Sequence, residues 1–182
     1  MRPPPGEVLH FSEDPTITRF VPHVAATAQV PDPYVWAVDA DNSPHYWFPR
    51  QCPRAMAWVA DHTTPEDRDR VIGPGGGDRV HAIEYPWLPA MLTTQLYAYR
   101  LPADRFTPVG DGSFSPHVAT EPVDPLGPPL PVGNLVELHA EAGIQLRVLP
   151  GLYPFWHIVI TTTLHFSGIR LRNAGRSPAD FR

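Results

Sequence analysis

Apolar residues in this chain fall into short runs, each closed by proline, glycine or a cluster of aspartate and asparagine. The first run, Val8-Leu9-His10-Phe11, sets one histidine among strand formers. Ser12, Glu13, Asp14 and Pro15 follow. These are the residue types of a helix start: a capping hydroxyl, two acids for the positive end, and proline in the first turn. The pattern predicts a strand, then a short helix seated by Ile17 and Phe20, with Pro22 closing it. His10 then ends a buried strand beside a helix N-terminus. There an imidazole serves either as a core group bonded to backbone or as a ligand contact.

The pattern continues as brief elements. Residues Ala25 to Pro33 read as loop, and Tyr34 to Val38 as a second strand. Ser43-Pro44 looks like a cap with proline at the first helical position. Tyr46, Trp47 and Phe48 form core or the wall of a pocket. Trp36 and Trp47 are expected to be buried, Trp36 in the sheet core. Ala55 to Ala60 reads as a strand, and Thr63-Thr64-Pro65-Glu66 as a capping box opening a helix through Arg70. Further strands are predicted over Arg79 to Glu84, Gln95 to Leu101, Val118 to Val123 (carrying Glu121) and Ile144 to Leu149. Pro86-Trp87-Leu88-Pro89 begins a turn or helix, and Asp104 to His117 reads as loop. Pro122 to Pro131 is rigid and extended. Asn134 caps a helix over Leu135 to Ala142, with Leu135, Leu138 and Ala142 on one face and Gly143 at its end. Tyr153 to Thr163 carries both strand and helix signals, and the helix reading is preferred. Leu164-His165-Phe166-Ser167 repeats the tetrapeptide at Leu9 to Ser12, too short a match to define a repeat.

Together these elements predict an α+β domain: a twisted, mainly antiparallel sheet, split in two, with short peripheral helices. It is expected to be one domain over 1–182, with a flexible tail at 1–6 and a loose tail at 176–182.

Composition narrows the function classes. The 25 prolines imply rigid turns and few long helices. There is no lysine, so all 14 basic residues are arginine. The net charge of −5 argues against a general nucleic-acid or membrane surface, yet leaves room for one arginine-lined phosphate site. With Cys52 the only cysteine, no intramolecular disulfide can form. The opening Met1-Arg2-Pro3-Pro4-Pro5-Gly6 lacks the apolar core of a signal peptide, and no run is long enough to span a bilayer. A cytoplasmic protein is expected.

Familiar catalytic patterns are missing. The nine histidines include no pair at helical i, i+4 spacing, so no metal site is expected. Nothing local lowers the pKa of Cys52. Gly112-Ser113-Phe114 does not supply a nucleophile elbow. Gly75-Gly76-Gly77 lacks the lysine and hydroxyl residue of a P-loop. A dispersed set remains: His10, Tyr46 and Glu121.

Over nearly its full length the chain resembles an uncharacterised bacterial family of small cytoplasmic proteins. The match is carried by Leu9-His10-Phe11-Ser12-Glu13, Val35-Trp36-Ala37-Val38-Asp39, Tyr46-Trp47-Phe48-Pro49-Arg50, Cys52-Pro53-Arg54, Leu152-Tyr153-Pro154 and Phe166-Ser167-Gly168-Ile169-Arg170. More distantly, the opening is similar to the first strand of ADP-ribosyltransferase-like folds, which include the RNA 2′-phosphotransferases. In those folds a histidine sits on the first strand, an aromatic residue follows the second, and a glutamate lies on a late strand. The resemblance implies catalytic roles for His10, Tyr46 and Glu121. It implies nucleotide contacts from His10, Ser12 and Trp36, with Arg19, Arg50 or Arg54 clamping a pyrophosphate. Position 119, where that pattern carries a second acid or amide, is alanine. Two functions follow from the resemblance: an enzyme acting on NAD or an ADP-ribosylated ligand, or a non-catalytic module that keeps the cleft. NAD would enter as a substrate, with no essential cofactor. The expected partner is a small nucleotide ligand.

Overall fold

The computed structural model describes residues 1–24, 32–110 and 115–175. The loops expected at Ala25 to Pro33 and at Asp104 to His117 lie partly outside them, and the tail at 176–182 wholly. In chain order the strands and helices are β1 (Glu7–Ser12), β2 (Val35–Ala37), β3 (Arg54–Trp58), α1 (Pro65–Val71), β4 (Arg79–Glu84), α2 (Leu88–Thr93), β5 (Tyr97–Pro102), β6 (Thr107–Pro108), β7 (His117–Ala119), β8 (Leu130–Pro131), α3 (Leu135–Glu141), β9 (Gln145–Leu149), α4 (Leu152–Val159) and β10 (His165–Ile169). Short 3-10 turns connect several of them. Among the described residues the fold is α+β, with three sheets and four short helices. Of the strand pairs among these residues, β4–β9 is parallel and the others are antiparallel.

The chain divides into two compact units, each built from two stretches: Met1–Arg50 with Thr94–Gly133, and Gln51–Thr93 with Asn134–Arg182. The first unit holds two three-stranded sheets, β1-β5-β8 and β2-β7-β6. Leu9 and Val38 exchange backbone hydrogen bonds of 2.8 and 2.9 Å, linking β1 to the end of β2. Val8, Phe20, Val35, Ala37, Tyr99, Leu101, Phe106, Ala119 and Val123 form a common core. Val35 and Ala37 supply the β2 part of this core, because neighbouring strand residues point to opposite faces. Trp36 is therefore not in the sheet core, against the expectation for it; it is partly exposed on the other face. Trp47 is fully buried.

Residues 1–6, expected to form a flexible tail, make defined contacts. The Trp47 indole Nε1 donates to the Met1 carbonyl at 3.1 Å, Arg2 donates to the Ala40 carbonyl at 2.9 Å, and Pro3 is buried.

The helix expected after β1 does not form. Ser12 Oγ accepts from the Asp14 amide at 3.1 Å, and Asp14 Oδ1 accepts from the Thr16 amide at 2.8 Å. Such local bonds suit a first helical turn equally well; the Tyr99 hydroxyl, which donates to the Asp14 carbonyl at 2.6 Å and accepts from the Ile17 amide at 3.1 Å, holds the segment as a turn. Phe20 instead lies extended and pairs with Val123. Ser43-Pro44 opens a 3-10 turn rather than an α-helix, and Ser43 is not its cap. Asp39 anchors that turn: its carboxylate accepts from the Asn42 amide and its carbonyl accepts from Ser43 Oγ.

The second unit is one four-stranded sheet in the order β10-β3-β4-β9. β3 is central and wholly buried. One face, at Ala57 and Val80, packs against Val71 and Ile72 of α1 and its end and against Val159 of α4. The α1 cap is Thr64, whose hydroxyl accepts from the Asp67 amide; the box read at Thr63 and Glu66 is displaced by one residue.

Helix α3 begins where the sequence places it. The Asn134 side chain accepts from the Val136 and Glu137 amides at 2.9 and 3.2 Å, and Gly143 ends the turn at φ 67°. Its buried positions are Leu135 and His139, while Leu138 is only partly buried and Ala142 is exposed. Asn134→Ala should cost about 1 kcal/mol, the ordinary worth of a cap, read as a lower denaturation midpoint with an unchanged denaturant slope.

Candidate functional site

In the first unit, β1 carries His10 opposite Tyr99 of β5. His10 Nδ1 lies 2.7 Å from the Trp36 carbonyl oxygen. A carbonyl only accepts, so Nδ1 holds the proton of the neutral ring and Nε2 keeps a bare lone pair. The ring rests on Phe20, with centroids 4.7 Å apart. Burial drives its pKa down to about 4, against the Trp36 bond, which favours the cation; the positive charges of Arg50 and His23 lower it further. At neutral pH His10 is thus an uncharged, oriented acceptor. It is only partly buried, so it is not sealed inside the core.

A fixed turn runs beside it. The Tyr99 hydroxyl donates to the Asp14 carbonyl at 2.6 Å and accepts from the Ile17 amide at 3.1 Å. Hydrogen bonds from Thr16 hold the Asp14 carboxyl below its ordinary range. Glu13 Oε1 accepts from the Arg50 amide at 2.7 Å, which ties this turn to the end of the aromatic stretch at Tyr46–Phe48. The Arg50 side chain is exposed, yet close enough to repel a proton from His10.

The other expected site residues take varied positions. Ser12 is buried and its hydroxyl oxygen is engaged by the Asp14 amide. Trp36 meets Tyr34 edge-to-face at 5.7 Å, and its indole Nε1 is buried without a hydrogen-bond partner among the described residues. Tyr46 closes the 3-10 turn and is partly buried. Arg19 pairs with Asp124 at 3.2 Å in an exposed ion pair. Arg54 belongs to the second unit, where it is buried and donates to the Cys52 carbonyl at 3.0 Å.

Glu121 does not lie on a strand. β7 ends at Ala119, and Glu121 follows on an exposed bend. Two residues later Val123 exchanges backbone hydrogen bonds of 2.9 Å each way with Phe20, whose ring packs at a tilt against His10. That pairing tethers the Glu121 bend to the His10 neighbourhood.

Phe20, Glu13 and Tyr99 build this region and were not read as site residues. The signal for Tyr99 was the strict alternation of Tyr97 and Tyr99 along β5. Phe20 was hidden by the helix reading of its segment.

The second unit buries polar groups of its own. His81 Nδ1 and His139 Nε2 are 3.0 Å apart, and His139 Nδ1 lies 2.6 Å from the Leu135 carbonyl. The carbonyl fixes the proton on His139 Nδ1, so His81 donates to His139 Nε2. Burial lowers the His139 pKa to about 4, and Arg54 adds to the effect. Glu84 accepts from the Leu152 amide at the start of α4 and from the Gly175 amide. The Cys52 thiol is pushed up to about 12 by burial, leaving too little thiolate for a nucleophile. Among the described residues no group of three histidine, cysteine or carboxylate side chains is placed to hold a metal ion, and no helix is long and apolar enough to cross a membrane.

Residues 9–174 match the model of DUF6886, a family of unknown function, and the chain belongs to that family. Neither the curated proteins nor the solved structures include a match.

Proposed function

We propose that the first unit binds a ribose-bearing nucleotide, NAD or an ADP-ribosylated ligand, at His10. The observation that carries this is the locked imidazole. With Nδ1 donating to Trp36, Nε2 can only accept, which suits a sugar hydroxyl. Its depressed pKa keeps that lone pair free of a proton at pH 7. Arg50 adds an exposed guanidinium nearby, the group that takes a phosphate through two parallel hydrogen bonds. Cleavage of the nicotinamide–ribose bond builds positive charge on the sugar, which a carboxylate stabilises. Glu121 is the candidate for that role.

The exposure of Glu121 favours a second reading, a binding module without turnover. A carboxylate in water offers little preorganised field to a developing charge. Calorimetry with NAD, ADP-ribose and a 2′-phosphorylated ribonucleotide tests the shared premise. His10→Asn keeps a donor near the Nδ1 position but removes the Nε2 acceptor. It should weaken binding about tenfold, the worth of one hydrogen bond. If none of the three ligands binds the native protein, the proposal fails. Given binding, Glu121→Gln decides between the readings: turnover lost with affinity kept marks an enzyme, and no turnover in the native protein marks the module.

A further inference from the structure

Two histidines of the second unit meet where two distant segments are joined. Asp61 and His62 form a turn between β3 and α1, and His165 opens β10 opposite Trp58. The imidazole centroids of His62 and His165 lie 5.2 Å apart, with the rings tilted by 52°. His62 is exposed, and His165 is half-buried, edge-to-face with Trp58 at 5.9 Å. Among the described residues neither ring has a hydrogen-bond partner. Both imidazoles therefore keep their nitrogens for solvent or for a ligand.

The joint that carries them is rigid. Thr63 Oγ1 accepts from the Ala60 amide at 2.8 Å and donates to the Thr163 carbonyl at 3.2 Å, across 100 residues of chain. Thr163 Oγ1 accepts from the Thr64 amide at 2.9 Å and donates to Asp67 Oδ2 at 2.8 Å. The same carboxylate oxygen accepts from the Thr163 amide at 2.8 Å. These bonds fix the backbone one residue after His62 and two residues before His165. The two rings are thus brought together by the fold itself, and ordering them for a ligand costs little further entropy.

The spacing suits one metal ion between them. An ion bonded to one nitrogen of each ring at about 2.0–2.1 Å, with a tetrahedral angle between the bonds, sets the centroids about 5 Å apart. Turning an imidazole about its Cβ–Cγ bond meets only a broad, shallow barrier, so each ring can aim a nitrogen at the shared point. The groups that act electrostatically on His165 are His62 and the Asp61 carboxylate, and the latter favours a positive charge there. No third histidine, cysteine or carboxylate among the described residues is placed to join the pair, so water fills the other coordination positions.

We infer that His62 and His165 form a two-imidazole site for a divalent cation of the zinc class, a clip that ties the turn before α1 to the start of β10. Such an ion binds the folded chain and not the unfolded one, so it stabilises the second unit by mass action.

Calorimetric titration of the full, chelator-treated chain with zinc chloride at neutral pH tests this. One zinc ion per chain is expected to bind saturably and to raise the melting temperature as its concentration grows. Magnesium, which seeks oxygen ligands, should give no heat. His62→Gln and His165→Gln should each abolish saturable binding, while His157→Gln, at an exposed histidine of α4, should leave it unchanged. A native chain that binds no zinc overturns the inference. So does binding that survives either substitution in the pair, or that is lost with His157. The melting temperatures of the metal-free variants check their folding. If one of them is unfolded, imidazole proton resonances of the native chain decide: zinc must shift those of His62 and His165 together, and shifts confined to other histidines overturn the site.

Discussion

Trp47→Ala is expected to destabilise the first unit by about 3–5 kcal/mol, the range for deleting a buried aromatic side chain. Trp47 is 1% exposed and is followed by Phe48 at 2%. Its indole N–H also holds the Met1 carbonyl at 3.1 Å, so truncation leaves a cavity and releases the opening residues together. A domain of this size has a margin of about 5–15 kcal/mol, so the loss threatens folding at 37 °C. Trp47→Phe separates the two effects. It keeps most of the apolar volume and drops the donor, so it should cost less, with the hydrogen bond contributing about 1 kcal/mol. Trp36→Ala should cost less than Trp47→Ala, because Trp36 lies on the outer face of β2 and is partly exposed. Denaturant midpoints of the three variants check the order. An unchanged midpoint in Trp47→Ala would contradict the packing assignment.

Legibility in the sequence followed the range of the interactions. β4 occupies Arg79–Glu84 as read, and α3 begins after Asn134 as read, because alternation and a side-chain cap are local signals. The ambiguous Tyr153 to Thr163 stretch proved helical over Leu152–Val159; there Glu84, distant in sequence, accepts from the first helical amide. The segment after β1 misled for the opposite reason. Ser12, Asp14 and Pro15 fit a helix start and a turn equally well, and the deciding partner is the Tyr99 hydroxyl, 85 residues away from Asp14. Trp36 shows the limit of composition. The sequence marks an aromatic strand residue as core, but one step along a strand reverses its face.

The same division holds at the candidate site. His10 was legible because a lone histidine in an apolar strand must find a partner. That the partner is the Trp36 carbonyl, and hence which nitrogen is free, depends on how β1 meets β2. Glu121 was read as a strand residue from the apolar positions around it. β7 stops at Ala119, and the proline after Glu121 lacks the N–H a ladder would need. The buried His81–His139 pair escaped notice because its members lie on separate elements, 58 residues apart. Nothing local in either element announces the other.

Acid should destabilise both units through two desolvated histidines, the half-buried His10 and the buried His139. The folded-state pKa is about 4 for His10 and about 4 for His139, against the ordinary 6.5. A histidine whose pKa falls on folding binds its proton more tightly in the unfolded chain. Its contribution is therefore complete above pH 6.5, declines as pH falls from 6.5 to 4, and levels off below 4. The interval corresponds to about 3 kcal/mol for each histidine. Arg50 and His23 act against a proton on His10, as Arg54 does on His139, adding to the effect of burial. Below this window Asp14 and Asp67, both held below the usual carboxylate range by hydrogen bonds, extend the loss as they are protonated. Denaturant unfolding followed by tryptophan fluorescence at pH 7.5, 6, 5 and 4.5 measures the slope. The expected result is a steady fall in stability, with the acid-sensitive part reduced in His10→Asn for the first unit and in His139→Asn for the second. Equal stability at pH 7.5 and 4.5 would show that neither imidazole is held neutral. The locked proton on His10 Nδ1, and the acceptor it leaves at Nε2, would then have to be given up.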